Sequence, residues 1–164
     1  MLQRLLSRTR KAIADYDMIH EGDKIAVGVS GGKDSLALLC CMKALQGFYP
    51  DKFDLVALTI QTGLPGFEPD KLRAFCNNLG VECHIEETLI SKIVFDVRSE
   101  KNPCSLCSNM KRGAIYNAAK RLGCNKVAFA HHKNDVIETF LMSLFYEGRI
   151  HTFSPVTYLN RMDI

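Results

Sequence analysis

The sequence is short of the features that mark non-globular classes. It has no apolar run long enough to span a bilayer, no internal repeat and no low-complexity segment. Its first residues, "MLQRLLSRTRKAIADY", carry no acid before Asp15 and no small-residue cleavage site of the secretory kind. They also run into an apolar strand without a linker, so the expectation is a basic amphipathic helix with Leu2, Leu5, Leu6 and Ile13 on its inner face. A transit peptide is the competing reading of an Arg-rich start. Strong net charge is missing too: +3 is only mildly basic and does not by itself point to nucleic acid. The seven cysteines do not make an even set and nothing suggests export. A reduced, cytoplasmic setting is therefore expected over a disulfide framework.

What is there is an ordinary soluble composition, 47% hydrophobic and 24% charged over 164 residues, enough for one domain with a real core. Strand-like and helix-like patterns alternate. "KIAVGVS", "DLVALTI", "VECHIEE" and "KVAFA" read as strands, with helices over about 35–45, 69–79 and 106–122 and a last one in "DVIETFLMSLFY". Short strands separated by helices imply crossover units, hence an α/β fold with a doubly wound parallel sheet covered on both faces. The expected organisation is an N-terminal amphipathic helix over 1–22 and an α/β domain over 23–164. "QTGLPGFEPD" follows a strand end, where such folds place ligand loops.

The stretch "AVGVSGGKDSLALL" carries the chemistry. A glycine-rich turn from strand to helix aims backbone N–H groups and the positive helix end at one spot, an anion site whose usual occupant is phosphate. Gly31 and Gly32 allow close approach, Lys33 adds a mobile charge, and Ser30 and Ser35 offer hydroxyls. The spacing excludes both G-x-x-x-x-G-K-[ST] and G-x-G-x-x-G. Asp34 inside a phosphate loop suggests a Mg²⁺ ligand bridging phosphates. A plain strand-to-helix turn is the alternative.

Ser30-Gly31-Gly32-Lys33-Asp34-Ser35 resembles the pyrophosphatase loop of adenylating ATPases, which cleave ATP between the α- and β-phosphates. Taken with Cys104-x-x-Cys107 and "AHHKNDVIETFLMSLFYEGR", the chain is similar to the tRNA 2-thiocytidine synthetase family from about Tyr16 to Tyr158. On its own the cysteine pair also fits a redox motif or a zinc half-site.

The resemblance implies ATP phosphates on the loop and Leu58 and Thr59 against adenine and ribose. It puts Ala130, His131 and Asp135 beside the same crevice, and assigns catalytic roles to Lys33, Asp34 and Asp135. Cys104 and Cys107 would be two of three thiolates on a [4Fe–4S] cluster. The implied partners are tRNA, a sulfur donor such as a cysteine desulfurase, and a second copy in a homodimer, with no membrane. Basic residues at Arg4, Arg8, Arg10, Lys11, Lys111 and Arg112 are candidates for tRNA phosphates; a solvated face is the alternative.

Ala130, Asn134 and Gln61 depart from the family, which has Gly, Asp and an acid there. The family's third cluster cysteine lies on a further strand, so with Ile164 the last residue the ATP-binding domain is expected to be truncated. The third ligand would then be external, from a second protomer, or not a cysteine. Asp135-x-x-Glu138 also has capping-box spacing, His131 and His132 also fit core or surface positions, and Cys40, Cys41, Cys76, Cys83 and Cys124 read as core fillers. A 2-thiouridine synthetase, another adenylating enzyme, or a silent ATP- or cluster-binding relative are the alternative functions.

Overall fold

The computed structural model describes residues 2–64, 66–97 and 103–164. Its centre is a four-stranded, all-parallel sheet in the order β3-β2-β1-β4. The strands are β1 (Asp23–Gly28), β2 (Phe53–Gln61), β3 (Glu82–Glu87) and β4 (Lys126–Ala128). Helices α1 (Leu2–Asp15), α2 (Lys33–Gln46), α3 (Pro69–Leu79), α4 (Pro103–Arg121) and α5 (Lys133–Glu147) surround it.

Alternation along the strands decides which helix covers which face. Ile25, Val27, Val29, Leu55 and Ala57 point into one cluster with Ile13 of α1, Leu39, Met42 and Leu45 of α2, and Leu72 and Cys76 of α3. Their neighbours Ala26, Val56 and Leu58 face the other way, against Ala118 and Ala119 of α4 and Cys124. Both faces are covered, as near-continuous apolar strands require. Leu39 and Leu45 are wholly buried, so truncating either to Ala would cost about 2–5 kcal/mol.

Because β1 lies between β2 and β4, the chain leaves it toward β2 while β4 is reached by the long crossover from β3. The order therefore reverses between β1 and β4, and ligands in open α/β sheets bind at the carboxyl ends of such strands. At the opposite, amino-terminal margin these two strands are fastened by polar contacts. Asp23, 5% exposed, accepts hydrogen bonds from Lys126 Nζ at 2.6 Å, the His20 N–H at 2.7 Å and Asn125 Nδ2 at 2.7 Å. Asn125 Oδ1 in turn accepts from the Lys24 N–H at 2.9 Å.

Element ends differ from the sequence expectation in physically simple ways. The N-terminal helix stops at Asp15, and the chain turns over 16–22 to reach β1. β4 ends at Ala128 instead of Ala130, because Phe129 leaves the sheet to lie over Gly28. The last helix begins at Lys133 instead of Asp135, its first turn held by an N-terminal cap. The irregular stretch after β3 contains a π-helical turn, Lys92–Val97. No helix among the described residues is long and apolar enough to cross a membrane.

Candidate active site

The loop between β1 and α2 is the clearest site. Ser30, Gly31, Gly32, Lys33 and Asp34 are exposed, whereas Ser35 beneath them is buried. Ser35 Oγ organises the turn: it donates to the Gly32 carbonyl at 2.9 Å and accepts from the Ser30 N–H at 3.2 Å. Ser30 Oγ lies 3.2 Å from Ser35 Oγ and 3.4 Å from the Gly32 N–H, which donates to it. Gly31 sits at φ +83°, a left-handed conformation that a side chain would strain. Gly32 is the N-cap of α2 with no capping side chain. The N–H groups of the first turn are thus presented outward beside the positive helix end, ready for an anion.

Lys33 Nζ and Asp34 make a two-armed ion pair, 2.9 Å to each carboxylate oxygen. Both side chains are exposed, so the pair is weakly held and each can turn to a ligand. Leu58 and Thr59 lie below the loop, with side chains that do not reach the crevice surface. Leu58 is fully buried under α4. Its carbonyl accepts from the Val29 N–H at 2.8 Å, and Thr59 Oγ1 donates to the Val29 carbonyl at 2.6 Å. Both fix the height of the loop, and sequence patterning offered no signal for that Thr59 contact.

Across the β1–β4 junction stand Ala130, His131 and Asp135. Asp135 is the third residue of α5: its Oδ2 accepts from the His132 N–H at 2.6 Å and lies 3.1 Å from His132 Nδ1. The capping box is therefore His132 with Asp135, not Asp135 with Glu138. The His132 N–H bond, helped by the charges of His132 and His131, holds the Asp135 carboxyl below the usual carboxylate range. Both contacts use Oδ2, which leaves Oδ1 for another partner. His131 is exposed and packs between Phe129 and Phe153, ring centroids 5.9 and 5.0 Å away.

The two cysteines ride on the first turns of α4. Cys104 is exposed, and Cys107, one turn on, packs with Leu106 and Met110 against Ile60, Ile90 and Val94. Ile60 follows Thr59 along β2, so the thiols approach the site from the face opposite α2. Among the described residues no group of three or more His, Cys, Asp or Glu is placed to hold a metal. Cys40, Cys41, Cys76, Cys83 and Cys124 are free, buried or half-buried, and distributed through the core. Burial pushes the Cys76 thiol up to about 12, with Cys83 beside it adding to the shift, which keeps it protonated and inert at neutral pH.

An open cavity of about 270 Å³, lined by Gln61, Gly63, Glu87, Thr88 and Leu89, sits at the carboxyl ends of β2 and β3. Gln61, where the family has an acid, is on its wall. Of the basic residues, Arg4, Arg8, Arg10 and Lys11 are exposed on α1, as are Lys111 and Arg112 on α4. Lys120 and Arg121 are engaged instead with Asp163 and Glu86.

Comparison with known proteins places these features. The chain is 44% identical over 155 residues to a tRNA-cytidine(32) 2-sulfurtransferase of Pelobacter propionicus, covering 94% of this chain and 58% of the relative. It is 43% identical over 154 residues to the protein of that name in Saccharophagus degradans, covering 93% of this chain and 50% of the relative. The chain thus spans about half the length of the curated relatives it matches. Among solved structures, the U34-tRNA thiolase NcsA from Methanococcus maripaludis, with its [4Fe–4S] cluster, superimposes with a TM-score of 0.71. That match has 26% identity over 90% of this chain and 52% of the thiolase. The NH3-dependent NAD synthetase of Campylobacter jejuni, at 14% identity and a TM-score of 0.55 over 82% of this chain and 58% of that one, shares the fold. The PP-loop domain model matches residues 1–161, and with an exposed glycine loop at the head of α2 on a parallel sheet, the chain belongs to the PP-loop domain family.

Proposed function

We propose that this protein takes part in ATP-dependent thiolation of tRNA, activating the C2 oxygen of cytidine 32 by adenylation so that sulfur can replace it. The observation that carries this reading is convergence. The anion-binding loop is tied to β2 from one face through Thr59, and Cys107 packs on Ile60 of the same strand from the other, with Cys104 one turn before it on α4.

The chemistry follows from the residues. The uncapped head of α2 with Ser30, Gly31 and Gly32 grips the β- and γ-phosphates of ATP over the turn that Ser35 holds from beneath, and Lys33 turns from Asp34 to the charge that builds as pyrophosphate leaves. Asp34, freed from Lys33, would hold Mg²⁺, an ion usually bound through one or two carboxylates together with phosphates and water. Asp135, kept ionised by its cap at the head of α5, offers its carboxylate as a second metal or substrate contact. Leu58 and Thr59 serve the nucleotide by holding the loop and the β2 backbone at the right height.

The cytidine C2 oxygen attacks the α-phosphorus, pyrophosphate departs, and the oxygen becomes part of AMP, a far better leaving group. Sulfur addition at C2 then expels AMP. Cys104 and Cys107, soft ligands one turn apart, would supply two of the thiolates of a [4Fe–4S] cluster, and a third ligand would have to come from beyond the groups the described residues bring together. When bound, such a cluster supplies an iron site able to carry sulfur. The sulfur itself comes from a donor such as a cysteine desulfurase, and a homodimer is one way to complete the ligand set. The cationic face of α1 and Lys111 and Arg112 supply phosphate contacts for tRNA.

The test is release of AMP and pyrophosphate from ATP in the presence of tRNA, with nucleoside mass spectrometry of the product. Lys33→Ala is expected to abolish turnover, and 2-thiocytidine to be the new nucleoside. Undiminished AMP formation by the variant would overturn the loop assignment, and 2-thiouridine would overturn the choice of base.

A further inference from the structure

Beyond α5 the chain reverses and returns to the site. The Arg149 N–H donates to the Ser143 carbonyl at 3.1 Å, and Thr152 Oγ1 donates to the Val136 carbonyl at 3.3 Å. That second bond pins the returning segment against the first turn of α5 and delivers Phe153 to His131, ring centroids 5.0 Å apart and tilted by 45°. Beneath His131 lies Phe129 at 5.9 Å, and beneath Phe129 lies Tyr116 of α4, edge-on at 6.4 Å. Four rings from three separated segments thus form one continuous ladder. Its Phe129 rung is seated on Gly28: a Cβ there would meet Phe129 Cδ1 and Cε1 at 3.0 Å. The ladder therefore rises from the last residue of β1, beside the phosphate loop, to an outer end where His131 is exposed and Phe153 only half-buried.

We infer that the outer end of this ladder, Phe153 with His131, is the stacking platform for the pyrimidine extruded from RNA. This rests on the thiolation reading above. The loop follows β1 and the ladder starts over the last residue of that strand, so a base stacked on its outer end would stand near a nucleotide held by the loop. A base pulled out of a single-stranded loop loses its stacking neighbours, and aromatic side chains are the usual replacement. An aromatic face accepts any base, so the ladder supplies affinity and orientation, and hydrogen-bonding groups elsewhere select cytosine.

Two readouts test this on the whole chain. In the first, a short single-stranded RNA carrying the fluorescent base pyrrolocytosine is titrated with protein; stacking quenches the base. Quenching is expected for the natural protein and for Phe153→Trp, and is lost in Phe153→Ala and Phe153→Leu, the latter keeping an apolar contact without a ring. In the second, RNA-dependent AMP formation by Phe153→Ala should show a KM for RNA raised about five- to a hundred-fold, the scale of one base–aromatic stack. ATP affinity measured without RNA should stay within about twofold. Quenching that persists in both the Ala and Leu variants would overturn the platform. So would parallel loss of ATP affinity, which would assign the rings to adenine. If the natural protein quenches but forms no AMP with RNA, the platform stands and the thiolation reading falls.

Discussion

Replacing Gly28 by Ala isolates the contact on which the crevice geometry depends. The backbone at Gly28 is not in the positive-φ region, so Ala meets no conformational barrier there. On chain entropy alone it should stabilise by about 0.4–1 kcal/mol. The obstacle is steric. The new Cβ would lie 3.0 Å from two carbons of Phe129, against a comfortable carbon–carbon separation of about 3.5–4.0 Å. Phe129 cannot swing away freely, because Tyr116 sits edge-on against it and His131 lies over it. Overpacking of this kind costs about 1–3 kcal/mol, and subtracting the entropic gain of about 0.4–1 kcal/mol leaves a net loss centred on about 1.3 kcal/mol. Urea unfolding should show a lower midpoint with an unchanged slope. Phe129→Leu, which removes the ring atoms in question, should rescue part of the loss, with a coupling of at least about 1 kcal/mol in the double-mutant cycle. A Gly28→Ala protein as stable as the parent, or a cycle that is simply additive, would refute the reasoning.

Asp23→Ala should destabilise by about 2–4 kcal/mol in urea unfolding at neutral pH, because Lys126, the His20 N–H and Asn125 lose a shared, nearly buried acceptor. Burial alone would raise the Asp23 pKa, but the bonds from Lys126, His20 and Asn125 outweigh it and hold the pKa below 3.8. Its contribution is therefore complete above that value and is lost as the pH falls through the lowered pKa. Asp23→Asn should flatten that part of the acid-unfolding curve. For the thiols, Cys104→Ser with Cys107→Ser should abolish retention of iron after anaerobic reconstitution while leaving ATP binding intact; iron retained at the parental level would rule the pair out as ligands.

The sequence made the sheet and its helices legible because their burial is written in apolar runs and helical spacing. β2 and α3 lie almost where "DLVALTI" and the 69–79 pattern put them. The exposed glycine turn at the head of α2 was equally plain, since a Gly-Gly pair between strand and helix leaves few physical alternatives. Contacts between distant segments carried no such signal. Asp23 and Asn125 meet across 102 residues, and polar residues at strand starts have no period to reveal it. Phe153 carries no signal in the sequence either, because it meets His131 only through the bond from Thr152 to the Val136 carbonyl. Leu58 and Thr59 illustrate a subtler limit: position along β2 was readable, but the direction of their side chains depended on which helix covered each face. Asp135 shows another, because helix capping and metal binding want the same carboxylate at the same place.

The register of β1 with β4 covers only three pairs, from Ile25 with Lys126 to Val27 with Ala128. Below them Asp23, Lys24 and Asn125 rivet the strands together, and above them the chains part toward the phosphate loop and the ladder. The sheet is in effect a book bound along its lower margin, its two leaves free to diverge at the upper. A substrate held at once by the loop and by the residues after β4 would act as a clasp across the open margin, and slower amide exchange in β4 would report it.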